Sequence, residues 1–164
     1  MKLKDIYLRI KETAQEKMPY LCYIDLQKKQ FERATEDYPV PAPTLLVEFD
    51  GADFSNLARH RQMGASSVSI YFYQNIVTDT FDSAELEVET LELLEAKDEI
   101  FQTFEGLTIT DCSQLVRKSE TPFIFESNLV FFKVTFDFVM YEKKIEKAGT
   151  IKANPKVFVE FNNK

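Results

Sequence analysis

Glycine is scarce in this chain, with four among 164 residues. That scarcity leaves no glycine-rich phosphate cradle, and neither the dinucleotide fingerprint nor the P-loop pattern occurs. Histidine is scarcer still. The one example, His60, sits between Arg59 and Arg61 with no partner in sequence for acid-base or nucleophilic work. The two cysteines, Cys22 and Cys112, lie 90 positions apart, so they make neither a zinc spacing nor a disulfide framework. Cys22 alternates with Ile24 and Leu26, which predicts a thiol buried on a strand. Tryptophan is absent, and no apolar run approaches the roughly 20 residues of a membrane span.

Positive charge is also in deficit. Twenty Lys and Arg stand against 27 Asp and Glu, a formal charge of -7. Binding to a phosphate backbone rests on cationic neutralisation, so sequence-specific nucleic-acid recognition is not expected. The first 17 residues are studded with charge where a secretory leader needs an apolar stretch, so the protein is expected to stay in the compartment that makes it. Strand carboxylates such as Glu48, Asp50 and Asp111 raise the idea of a magnesium nuclease. Its usual Glu-x-Lys companion appears here only inside a helix, at Glu95 and Lys97, or past a strand end, at Glu142 and Lys144. No catalytic, cofactor or metal site is expected.

What the chain has is apolar and aromatic mass: 45% hydrophobic residues, with 15 Phe and 7 Tyr. A chain of this length hides about 70% of its unfolded surface, enough for one unstapled domain. Leu3, Ile6, Tyr7, Ile10 and Ala14 recur at helical spacing, which predicts a helix over 2–17 closed by Pro19. Residues 20–26 alternate as a short strand, followed by a polar connection, 27–43, that ends in three prolines. Strands are predicted at 44–50 and 66–77. Residues 51–65 between them form a connection far longer than a hairpin loop, which marks it for function or disorder.

Asp82 and Glu85 make a capping box and Gly106 a left-handed stop, framing a helix over 83–105. Its apolar stripe is Leu86, Leu93, Leu94, Ile100, Phe101 and Phe104, and its remaining surface is acidic. Residues 107–116 read as a strand and KSETPFIFES as a turn-containing link. The longest strand, 128–142, carries Val130, Phe132, Val134, Phe136, Phe138 and Met140 on one side. The expected fold is α+β: a mostly antiparallel sheet of four to five strands with two helices on one face. Residues 1–142 make one domain, and 143–164 a C-terminal extension whose KVFVEF supplies an extra strand or an arm for a neighbouring chain.

With no motif for chemistry in the sequence, surface remains. Phe54, Leu57, Arg59, His60, Arg61 and Met63 in the connection, and Phe158 and Phe161 in the tail, combine the aromatic and arginine side chains that interface centres favour. They are the candidate protein-interaction residues.

The element order, with a Pro-rich approach to TLLVEF, the strand SVSIYFYQNIV, the helix SAELEVETLELLEAKDEIFQTFEGL and the strand NLVFFKVTFDFVMYE, resembles the tail terminator and tail-completion (head-tail joining) proteins of long-tailed bacteriophages and prophages. The resemblance covers about residues 3–142. It implies a protomer that assembles into a ring, commonly a hexamer, which caps the tail tube and joins it to the head. The partners would be copies of itself, tube proteins and head-connector proteins, with neither membrane nor sequence-specific nucleic acid. The location would be the bacterial host cytoplasm during assembly and the virion tail afterwards. The longer 27–43 segment and the extension depart from the simplest pattern. Two other classes stay open: a small ligand-binding or regulatory domain, and an enzyme whose site forms between subunits.

Overall fold

The computed structural model describes residues 3–33, 40–58, 61–75, 83–126 and 129–143. The capping pair's Asp82 and the extension beyond Lys143 lie outside these residues. The elements run α1 (Leu3–Lys17), β1 (Tyr23–Leu26), α2 (Gln30–Arg33), β2 (Thr44–Phe49), β3 (Asp53–Ala58), β4 (Arg61–Asn75), α3 (Ser83–Phe104), β5 (Val116–Glu120), β6 (Ile124–Glu126) and β7 (Leu129–Lys143).

The strands form one mixed, mostly antiparallel sheet in the order β1-β2-β4-β7-β5, with β3 on β4 and β6 on β7. The class is α+β, with seven strands among the described residues where four to five are expected. The 15-residue pair β4–β7 is its spine, in register from Arg61↔Lys143 to Asn75↔Leu129. Every second residue of β7 from Val130 to Met140 is buried, as the sequence alternation requires. These side chains meet Leu45 and Val47 of β2, Val68, Ile70 and Phe72 of β4, and both long helices in a single core. Ile6, Ile10 and Ala14 seat α1; Leu93, Ala96, Ile100 and Phe104 seat α3. Both helices therefore cover the same face.

Within α3 the stripe is narrower than the sequence suggests. Leu94 and Leu91 are exposed, because they lie about 100° and about 160° around the helix from Leu93. Phe101 is half-buried and receives the Arg117 guanidinium 4.0 Å from its ring centroid. Gly106 ends the helix region at φ 73°, as its freedom from a Cβ allows.

Two boundaries differ from the expectation in instructive ways. Residues 107–115 are not a strand. They leave the sheet through Asp111 at φ 59°, meet β7 at the Cys112↔Met140 bridge and where Val139 N–H donates to Ser113 Oγ, and fold Ile109 and Leu115 into the core. The strand lies instead at Val116–Glu120, where every side chain is exposed and no alternation could announce it. Likewise the parallel pairing of β1 with β2 demands a crossover, which explains the long 27–43 connection. Its α2 turn lays Phe31 on Tyr73, ring centroids 4.1 Å apart, on the face of the sheet turned away from α1 and α3. The strand starts at Tyr23 and Cys22 is exposed rather than buried.

Candidate functional site

The expected long loop 51–65 is a β-hairpin. Asp53–Ala58 pairs antiparallel with Arg61–Ala65, and a bulge falls between Asn56 and Ala58. The second strand continues without a break into the spine, so β3, the first five residues of β4 and the last five of β7 make a three-stranded flap. The sequence RQMGA lacks the β-branched residues that announce a strand. It adopts one because β7 supplies a partner along its full length.

On the flap, Phe54 lies opposite Gly64 and its ring occupies the space a side chain would need: a Cβ built at Gly64 would lie 2.6 Å from Phe54 Cε1. Even so, Phe54 is 52% exposed and Leu57 51%. Arg61 is exposed in a row with Ala58 and Lys143, and Met63 is half-buried between Ser55 and Tyr141. The structure thus brings Phe54, Leu57, Arg61 and Met63 together on one flap. Arg59, His60, Phe158 and Phe161 lie outside the described residues.

Sequence reasoning missed a second feature. Where the flap joins the sheet, the face turned away from α1 and α3 sinks into a depression of about 570 Å³ lined by Asp50, Ser66, Ser67, Ser113, Lys118 and Asp137 among others. Ser67 Oγ donates to Asp137 Oδ1 at 2.6 Å, and Lys118 Nζ reaches the same two groups at 3.3 and 3.1 Å. Burial works to raise the Asp137 pKa, but the hydrogen bonds from Ser67 and Lys118 outweigh it and hold the carboxyl below its ordinary range. A weakly basic carboxylate beside a cation does not activate a serine, so the trio is a structural tie between β4, β5 and β7. The Ser69 and Thr135 hydroxyls, 3.0 Å apart, extend the tie along the spine. The signal for all this was the run Ser66, Ser67 and Ser69 opposite Thr135 and Asp137, legible only once the β4–β7 register is known.

Further along this face Tyr71 donates to Glu48 at 2.5 Å. Burial and then this bond push its phenol above the ordinary range. On the helix side Tyr20 donates to Glu99 at 2.7 Å with the same consequence. Among the described residues no group of three or more His, Cys, Asp or Glu side chains is placed to hold a metal ion. None of their helices is long and apolar enough to cross a membrane.

No family model matches this chain, and no curated protein matches it.

Proposed function

We propose that the protein is a structural assembly protein that forms a ring of about six protomers, caps a phage tail tube and joins it to the head. The observation that carries the reading is the flap, a three-stranded ribbon with Phe54 and Leu57 about half exposed at its outer strand. Exposed aromatic and aliphatic anchors on a sheet extension are what a docking surface needs, and a site for chemistry needs none of them. The spine behind the flap is locked by fully buried side chains, so the flap is presented on a rigid support. The acidic exterior suits a channel through which DNA slides without sticking. A ring joins two different patches of each protomer, and the flap supplies one of them.

The test is light-scattering mass over a wide protein range with negative-stain imaging. Rings in the wild type, lost on combining Phe54→Ala with Leu57→Ser at a stability cost of about 1 kcal/mol or less, are the expected result. A variant that assembles as well as the wild type removes the flap from the interface. The depression supports a second reading, small-ligand binding, because its volume falls in the range of about 300 to 1,000 Å³ typical of ligand sites. Its polar lining is unlike the mostly apolar walls of such sites. Ligand-dependent thermal stabilisation without assembly would favour that reading.

A further inference from the structure

The sheet ends in several outer edges, and they are treated differently. At β5 the Arg117 N–H is taken by the Glu105 carboxylate, Gly106 N–H donates to Leu115 O, and Lys97 Nζ donates to Thr121 O. At β1 Gln30 Nε2 donates to Leu26 O. These contacts blunt the edges against unwanted pairing. Among the described residues β3 has no such device over Asp53–Asn56: its sequence DFSNLA holds one charge, at the first position, and no proline. All five residues 53–57 are exposed. An open edge carrying an aromatic residue is a template for another strand.

The chain itself supplies a sequence of the right character. Residues 144–164 carry five Lys and two Glu, a formal +3, while residues 1–143 carry 15 basic against 25 acidic residues, a formal -10. Within the tail, KVFVEF sets Val157, Val159 and Phe161 on one side of an extended chain, with Lys152 and Lys156 ahead of it. The tail departs from Lys143, which lies in the same row as Arg61 and Ala58 at the outer end of the flap. Residue 157 comes 14 positions later, a reach of up to about 46 Å. That exceeds the roughly 40 Å breadth of a domain of this size, so the tail is long enough to reach a neighbouring copy.

We infer that residues 156–161 of one copy add as a strand to the outer edge of β3 in a second copy, with Lys152 and Lys156 drawn to Asp50 and Asp53 beside that edge. The inference rests on the ring reading and names the joint between protomers. Because donor and acceptor are different parts of the chain, the contact is heterologous and propagates from copy to copy until it closes.

Two experiments on full-length chains test it. Val159→Pro removes a backbone donor from the tail without touching the described fold, and is expected to raise the concentration for half-assembly about ten-fold or more. Separately, chains carrying Ser55→Cys are mixed with chains carrying Val159→Cys, treated with a short bismaleimide, and digested for mass analysis. A link between positions 55 and 159 of different chains, together with the Val159→Pro defect, is the expected result. Rings that form normally with Val159→Pro and give no such link overturn the arm and leave the ring reading standing. A 55–159 link at monomer mass in a chain carrying both Ser55→Cys and Val159→Cys overturns the second-copy occupant. A wild type that stays monomeric throughout and yields no link overturns both.

Discussion

Truncating Phe136 tests the architecture most directly. The side chain is fully buried at the middle of β7, between Val68 on β4 and Arg117 on β5, and meets the edge of Phe104 from α3 with centroids 6.2 Å apart. Phe136→Ala leaves a cavity whose walls are strands tied on both sides, so collapse is restricted. The expected cost is about 4 kcal/mol, within the 3 to 5 typical of such changes. With a urea m-value of about 2 kcal/mol/M, the unfolding midpoint falls by about 2 M. That is a large share of the 5 to 15 kcal/mol that holds a domain together, so Phe136→Leu, at about 1.5 kcal/mol or less, serves if the alanine variant fails to fold. Phe125→Ala, at a 65% exposed position on β6, is the internal control and stays within about 0.5 kcal/mol. Both are read by equilibrium urea unfolding followed by tyrosine fluorescence or circular dichroism. A cost below about 1.5 kcal/mol for Phe136→Ala at unchanged m would refute the register assigned to β7.

Acid unfolding should depend on Asp137. Its carboxyl titrates lower in the folded state than in the unfolded one, so the native state binds fewer protons there. The contribution is complete above the unfolded value near pH 4 and disappears as pH falls through the folded value. Asp137→Asn should flatten that part of the stability profile, and an unchanged profile between about pH 5 and 3 would show that the Ser67 and Lys118 bonds are not formed in solution. Thiol labelling should resolve two phases. Cys22 is exposed and reacts first, whereas burial and the neighbouring Asp111 push the Cys112 thiol up to about 11, leaving about one thiolate in a thousand at pH 8. The slow phase should accelerate about ten-fold per pH unit, and equal rates for the two thiols would place Cys112 at the surface.

The fold class was legible because it rests on periodicity. The alternation of β7, the helical spacing of Ile6, Ile10 and Ala14, and the stop at Gly106 are local patterns that burial then enforces. The flap was legible only as a region of interest. RQMGA becomes a strand through pairing with Val139–Lys143, nearly 80 positions away, and no local preference encodes that. β5 was missed for the same reason: VRKSE has no buried face, and its place is set by β7 on one side and by Glu105 on the other.

Sequence by itself therefore determined the apolar faces, their period and the polarity of the surface, since each follows from the spacing of side chains along one element. Tertiary structure alone decided which strands lie side by side. That choice placed Ser67 against Asp137, put Phe54 over Gly64, and left the outer edge of β3 unpaired among the described residues, because pairing between distant segments is fixed by backbone hydrogen bonds that carry no residue-type signature.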